Sequence, residues 1–205
     1  MLIIGLTGTI ASGKSTVASM LKSANIAIID ADELAREVTK KPSKALASIR
    51  KTFGDQYFFN DGRLNRKLLG QLVFNDPSAL KKLEQIVHPL IDELRKEKMK
   101  FFKKNDVPVL VLVIPLLFEK NLQKEVDKIL LVSADADVLI DRLMRRDGYS
   151  RAQALKMLSL QLSEPEKKAT ATMVIKNNGS LGELKNNLIK AWKCLTKMEL
   201  TFTNV

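Results

Sequence analysis

The chain is 205 residues long and 45% hydrophobic, with a mean hydropathy near zero, enough for a sizeable core in one domain or one domain with insertions. Against 23 Asp and Glu stand 34 Lys and Arg, a net charge of +11 that suits polyanionic ligands, while the single cysteine, Cys194, excludes an intrachain disulfide. The longest apolar run, Val107 to Phe118, is too short to cross a bilayer and contains Pro108 and Pro115, and no cationic leader precedes an apolar segment, so a cytoplasmic setting without a membrane partner is expected.

Leu2-Ile3-Ile4-Gly5-Leu6 reads as a buried strand. Gly8-Thr9-Ile10-Ala11-Ser12-Gly13-Lys14-Ser15-Thr16 follows, and then Val17, Ala18, Met20, Leu21 and Ala24 recur at helical spacing. Strand, Gly-x-x-x-x-Gly-Lys-Ser and helix together are the context of a phosphate-binding loop. The glycines let the backbone approach a polyphosphate, and loop amides with the helix N-terminus direct positive dipole at it. Gly8, Ala11, Ser12, Gly13, Lys14, Ser15 and Thr16 are therefore the expected ATP contacts. Lys14 can reach the β- and γ-phosphates, and the Ser15 hydroxyl can ligate Mg²⁺.

The second strand is expected at Ile26 to Ile29, ending on Asp30-Ala31-Asp32. A helix carries Leu34, Ala35 and Val38 and stops near Lys40-Lys41-Pro42; another begins at Ser43 with Leu46, Ile49 and Phe53 on one face and Gly54 closing it. Asn60-Asp61-Gly62 is a turn. Leu64, Leu68, Leu72 and Val73 mark a helix ending at Asn75, after which Asp76-Pro77 caps one that reaches about Lys104, interrupted or kinked at His88-Pro89. From about Leu34 to Asn105 no strand is expected. Val107 to Ile114 and Val126 to Val132 are strands of the kind buried inside parallel sheets. Asp135 to Arg146 is a helix closed by Gly148. Capping boxes at Ser150, Ser163 and Ser180 open three more, with a short strand, Thr172 to Ile175, before the last, which runs to about Met198. This alternation predicts an α/β fold: a five-stranded parallel sheet, doubly wound, with a helical insertion between its second and third strands.

In such a sheet ligands lie beyond the carboxyl ends of the strands. Asp30 and Asp32 end the second strand, and residues two apart in extended chain face one side, so both carboxylates could enter one cleft. One of them capping the next helix is the plainer role, and the two roles are compatible. The third strand ends Val113-Ile114-Pro115 without an acidic residue, which moves magnesium support towards Ser15, water and the Asp30/Asp32 pair. No Asn-Lys-x-Asp segment is present, which argues against a GTPase switch. Arg142, Arg145, Arg146 and Arg151 gather near a helix end, suited either to a lid over the triphosphate or to surface pairing with Asp141 and Asp147. His88 alone reads as structural, and Cys194, beside Trp192, as core filler. The lysine pairs, Lys40-Lys41, Lys81-Lys82 and Lys103-Lys104, read as solvated helix surface, not a nucleic-acid patch.

Taken in order, several blocks resemble the dephospho-coenzyme A kinases. They are Gly5-Leu6-Thr7-Gly8 with its loop, Ile29-Asp30-Ala31-Asp32-Glu33-Leu34-Ala35-Arg36, and His88-Pro89-Leu90-Ile91. Pro115-Leu116-Leu117-Phe118-Glu119, Arg142-Leu143-Met144-Arg145-Arg146-Asp147, Val174-Ile175 and Asn177-Asn178-Gly179-Ser180 continue the series, so that the likeness covers the chain from Leu2 to about Leu188. The resemblance implies one kinase domain over residues 1–205, with an acceptor-binding insertion at about 34–105 and a lid at about 142–168. It implies transfer of a phosphoryl group from ATP, with Mg²⁺, to the ribose 3′-hydroxyl of dephospho-coenzyme A, the last step of coenzyme A synthesis. Asp32 would be the base; Lys14, Arg142 and Arg146 would serve the transfer; Asn177 would lie near the adenine. Asp32, Arg36 and His88 would meet the acceptor. The expected protein is a monomer or weak homo-oligomer with no nucleic-acid partner. Thr9 and Ala11 stand where the family has glycines, and Thr172 and Lys176 where acids are common. A kinase of another small acceptor, and a basic ATP-binding module on nucleic acid, are the competing readings.

Overall fold

Strands β1 (Leu2–Gly8), β2 (Ala27–Asp30), β3 (Val109–Val113), β4 (Lys128–Ser133) and β5 (Met173–Lys176) form one sheet in the order β2-β3-β1-β4-β5. The structure is a computed structural model that describes residues 1–40 and 42–202. In parallel register, β1 sets Ile4 beside Val111 of β3 and Leu6 beside Leu130 of β4, and β4 sets Val132 beside Ile175 of β5. The doubly wound parallel architecture is the one the sequence predicts. β1 outruns the expected Leu6 because Thr7 and Gly8 still pair with Leu131 and Val132. β3 starts only at Val109, since Pro108 has no amide to add to the ladder.

The chain divides into two compact units, Met1–Ile29 with the chain from Asn105, and Asp30–Lys104. In the first, alternation along the strands makes two apolar faces. Ile4, Leu6, Val111, Leu130 and Val132 pack with Val17 and Leu21 of helix α1 (Lys14–Ser23) and with Leu188, Trp192 and Leu195 of a C-terminal helix, Leu181–Thr196. Ile129 and Leu131, one residue out of phase, pack with Leu117 and Phe118. Trp192 is fully buried. Cys194 is exposed, contrary to its expected place in the core: the buried stripe of that helix runs Leu184, Leu188, Ala191, Trp192, Leu195, and position 194 falls outside it.

The second unit is helical. Helix α2 (Ala31–Val38) is capped by Asp30, α3 (Lys44–Phe53) by Ser43, α4 (Arg66–Asn75) by Asn65, and α5 spans Pro77–Lys104, with α2, α3 and α4 packed along it. Each cap accepts an orphan amide of the first turn. Gly54, at φ 93°, closes α3. The expected stop after α2 includes Lys41, which lies outside the described residues. Leu64 is not helical as expected: it bridges Phe58 across the Asn60-Asp61-Gly62 turn, so α4 starts later and buries Leu69 while Leu68 faces out. α5 is assigned as continuous through Pro89, with no interruption at His88-Pro89. Apart from Asp30, the last residue of β2, and the Phe58–Leu64 bridge, the described residues of this unit contain no strand.

In the first unit, α6 (Ala136–Asp147) ends at Gly148, φ 70°, and α7 (Arg151–Ser159) and α8 (Glu164–Thr170) follow. The three serines, Ser150, Ser163 and Ser180, each form a reciprocal capping box with Gln153, Glu166 and Glu183, opening α7, α8 and the last helix, α9 (Leu181–Thr196). α9 ends two residues before the expected Met198, at a left-handed Lys197. Ile140, Leu143 and Ala154 of α6 and α7 pack against Ile10 and Ala11, which carries this helical pair directly to the loop after β1. Among the described residues no helix is long and apolar enough to cross a membrane.

Candidate active site

Thr9 to Gly13 joins the end of β1 to the start of α1. The amide of Ser12 donates to the carbonyl of Thr9 at 3.0 Å, closing a turn whose third residue, Ala11, has φ 64°. A positive φ at that place is the type II pattern and favours glycine. At Ala11 the left-handed backbone costs about 1–2 kcal/mol. Of the two residues that differ from the family's glycines, only Ala11 is strained; Thr9 is absent from the positive-φ residues. The flanking glycines are required by space. A Cβ on Gly8 would lie 2.5 Å from both Ser12 Oγ and the Val132 carbonyl, and one on Gly13, at φ 96°, would run into Asn177 Nδ2.

Side chains from two distant parts of the chain brace the loop. Arg142 Nη1 donates to the carbonyls of Ala11 at 3.3 Å and Ser12 at 3.5 Å, and Nη2 donates to the Asn177 carbonyl at 3.0 Å. The buried Asn177 donates its side-chain amide to the same Ser12 carbonyl at 2.7 Å. Carbonyl and amide of one trans peptide point opposite ways. Holding the Ser12 carbonyl on this side therefore turns the Gly13 amide to the other. The first helical bond of α1 is from the Val17 amide to the Gly13 carbonyl at 3.1 Å, so the amides before it open from the helix end, where an anion is bound well. Lys14 and Thr16 are half-buried here and Ser15 is exposed.

The other arginines behave differently. Arg146 pairs with Asp147 at 2.8 Å, and this partner holds the guanidinium above its ordinary pKa and the carboxyl below its own. Arg151 pairs with Asp137 at 3.0 Å. Of the expected lid arginines, Arg142 is thus bound to the loop and Arg146 to a surface acid. Asn178 and Lys176 converge on Asp135, at 2.5 Å and 3.2 Å, so that the lysine at a commonly acidic place finds an acid of its own. Thr172 Oγ1 accepts the Ile129 amide at 2.9 Å.

Within the helical unit, Asp30 Oδ1 accepts the amides of Asp32 at 2.8 Å and Glu33 at 3.4 Å. Asp30 is the cap, and Asp32 sits in the first helical turn with its side chain exposed. The expectation that both lie on one side of extended chain fails, because the helix begins at Ala31. His88 is no core residue; its side chain is 52% exposed on α5, with Nε2 3.6 Å from Glu84 Oε1. Arg36 is exposed, its carbonyl accepting from Arg66 Nη2 at 3.3 Å, and burial together with the Arg36 charge lowers the pKa of Arg66.

Three residues touching the loop escaped the sequence reading, Gln161, Glu164 and Lys167, together with Glu119 behind Lys167. The Gln161 side chain accepts the Ile10 amide at 3.0 Å, Glu164 accepts the Thr9 hydroxyl, and Lys167 stands 3.2 Å from Thr9 Oγ1 and from Glu119 Oε1. Glu119 lies in one of the blocks that resemble the family, and Glu164 directly follows the cap Ser163, but nothing local links either to Thr9. Among the described residues no cluster of His, Cys, Asp or Glu could by itself hold a metal.

A family model described as dephospho-CoA kinase matches residues 2–183. A dephospho-CoA kinase of Oceanobacillus iheyensis is 45% identical over 93% of this chain and 98% of its own. A solved Thermus thermophilus structure, 38% identical, superposes with a TM-score of 0.80 over 95% of this chain and 97% of its own. The dephospho-CoA kinase of Campylobacter jejuni, 27% identical, gives 0.68 over 96% and 98%. With the nucleotide loop, its braces and a match over most of its length, the chain belongs to the dephospho-CoA kinase family, whose reaction is the ATP-dependent phosphorylation of dephospho-CoA in the last step of CoA biosynthesis.

Proposed function

We propose that this chain binds ATP on the Gly8–Thr16 loop and transfers its γ-phosphoryl to the ribose 3′-hydroxyl of dephospho-CoA, with Asp32 receiving the hydroxyl proton. The observation that carries the nucleotide half is the braced loop: Arg142 and Asn177 hold the carbonyls of Ala11 and Ser12 and so pre-orient the amides. Such orientation, set before the ligand arrives, is what stabilises charge on phosphate oxygens most effectively. Lys14 adds a cation at the β- and γ-phosphates. A magnesium ion held by the Ser15 hydroxyl would supply positive charge where negative charge develops in the transfer. Ser15, exposed in the first turn of α1, has a hard oxygen donor of the kind such an ion takes.

For the acceptor, the reading rests on Asp32, Arg36 and His88, all exposed in the helical unit. Arg66, its pKa lowered by burial and by Arg36, adds a second guanidinium beside Arg36, and a pair of like charges favours a polyanionic partner. In a loose phosphoryl-transfer transition state little early proton removal is needed, so orientation of the hydroxyl and late proton acceptance suffice for an ordinary aspartate. The reading carries a cytoplasmic setting, a monomer or weak homo-oligomer, and no nucleic-acid partner. Asp32→Asn tests it: turnover should fall about 10²–10⁴-fold while ATP affinity stays within about twofold. Equal loss of both would refute the role given to Asp32.

A further inference from the structure

Besides the Arg142 and Asn177 brace, the same turn is gripped by a second and wholly different set of side chains. Thr9, Ser133 and Lys167 are 6%, 1% and 2% exposed, so their polar atoms are out of water and need partners. Lys167 has three N–H protons and faces three oxygens: Thr9 Oγ1 at 3.2 Å, Gln161 Oε1 at 3.5 Å and Glu119 Oε1 at 3.2 Å. Glu164 Oε1 accepts a hydrogen bond from the Thr9 hydroxyl, and Glu164 Oε2 one from that of Ser133, with Lys168 Nζ at 3.9 Å from Oε2. Gln161 Oε1 also accepts the Ile10 amide at 3.0 Å, and Glu119 Oε1 the Leu162 amide at 3.1 Å. Two carboxylates are matched by two ammonium groups, one of them buried. Every member leads to Thr9 or Ile10, or holds the α7–α8 segment from which the grip is made.

We propose that Glu164 and Lys167 are positioning residues for ATP binding, acting through the Thr9 hydroxyl to hold the first half of the phosphate-binding turn. The inference rests on the nucleotide half of the kinase reading and not on the identity of the acceptor. Thr9 supplies the carbonyl that closes the turn on Ser12, and Ala11 within that turn is held left-handed. A strained turn keeps its shape only when its surroundings over-determine it. Here the carbonyls of Ala11 and Ser12 are held by Arg142 and Asn177, and the hydroxyl of Thr9 and amide of Ile10 by a separate set of side chains. Release of the second grip lets the turn relax, and the amides that face the phosphates lose their common direction. Because the grip belongs to α8 and to Gln161 just ahead of it, the position of this segment and nucleotide affinity are coupled.

The test is a double-mutant cycle on Thr9→Val and Glu164→Gln, with a fluorescent ATP analogue titrated in the absence of acceptor. Titrations are made well below the unfolding temperature of each variant. Thr9→Val keeps the shape and removes the hydroxyl; Thr9→Ser keeps the hydroxyl and serves as the rescue. Expected are about tenfold weaker binding for each single variant, a double variant little weaker than either, and recovery to within about threefold in Thr9→Ser. In turnover, KM for ATP should rise more than kcat falls. Lys167→Met should weaken binding further; if it fails to fold, Lys167→Arg, which keeps charge but not the three-way geometry, takes its place with an expected loss of the same sign. A lowered unfolding temperature with unchanged ATP affinity in Thr9→Val and Glu164→Gln would overturn the proposal, since the cluster would then be structural only. Strictly additive losses would also overturn it. Failure of the wild-type chain to phosphorylate dephospho-CoA would strike the acceptor reading instead and leave these binding results to stand.

Discussion

Replacing Arg142 by methionine separates bracing of the loop from direct action on the transferring phosphoryl. Methionine retains most of the stem that lies along α6 and removes only the guanidinium. Three carbonyl contacts are lost, but they are unequal. The Ser12 carbonyl, at 3.5 Å from Nη1, keeps its better donor, Asn177 Nδ2, at 2.7 Å. The Asn177 carbonyl loses a well-formed bond of 3.0 Å and the Ala11 carbonyl one of 3.3 Å. A hydrogen bond to a charged donor contributes about 1.5–3 kcal/mol, and the longer contact less, so about 3 kcal/mol is at stake in the ordered loop. Expressed wholly in ATP binding, that is about 10²-fold in Kd. Calorimetric or fluorescence titration with ATP should show this loss, and Arg142→Lys, which has a charge but no fork, should recover only part of it. Unchanged ATP affinity together with a large fall in kcat would refute the bracing role and place Arg142 on the phosphoryl group instead.

Gly13→Ala should abolish detectable ATP binding and cost at least about 2 kcal/mol of stability by chemical denaturation, because φ 96° and Asn177 both exclude a Cβ. Trp192→Ala, which empties a fully buried site against the sheet, should cost about 3–5 kcal/mol in the same measurement. Cys194 should react with a thiol reagent in the native protein at a rate close to that of the unfolded chain, since it is exposed. The pH dependence has a definite sign: Asp147 is held below its ordinary pKa by Arg146, and Asp92 by Lys96 and Arg95. A carboxyl depressed in the folded state adds stability above its unfolded pKa and loses it as pH falls through the folded one. Asp147→Asn and Asp92→Asn should therefore flatten the acid limb of the stability curve below about pH 4. Both pairs lie at the surface, so the effect should be small and should fade in salt.

What the sequence disclosed and what it withheld divide along a physical line. Capping boxes at Ser150, Ser163 and Ser180, the cap at Asp76, and the helix ends at Gly54 and Gly148 are set by residues within four positions of one another, and all stand where they were expected. The sheet was legible too, because β3 is apolar throughout, β4 is apolar from Ile129 to Val132, and both alternate with stretches of helical periodicity. The face of α4 was misread by one position, since Leu64 gives its backbone to a bridge with Phe58 that only the fold creates. Spacing alone reads Asp30 and Asp32 as extended, whereas capping by the first starts the helix that contains the second. The grip on Thr9 was out of reach for another reason: its partners lie 155 and 158 residues away, and neither an acid in the first turn of a helix nor a lysine in a charged helix announces that it will pack against a nucleotide loop.

The most direct test of the kinase assignment is incubation of the purified chain with ATP, Mg²⁺ and dephospho-CoA, followed by phosphorus NMR and mass spectrometry of the products. The assignment predicts one ADP for each coenzyme A formed, the new phosphate monoester on the ribose 3′-oxygen, and near-complete loss of that signal in Asp32→Asn. ATP binding without any 3′-phosphorylated product, or faster turnover of a nucleoside monophosphate or a sugar under the same conditions, would contradict it.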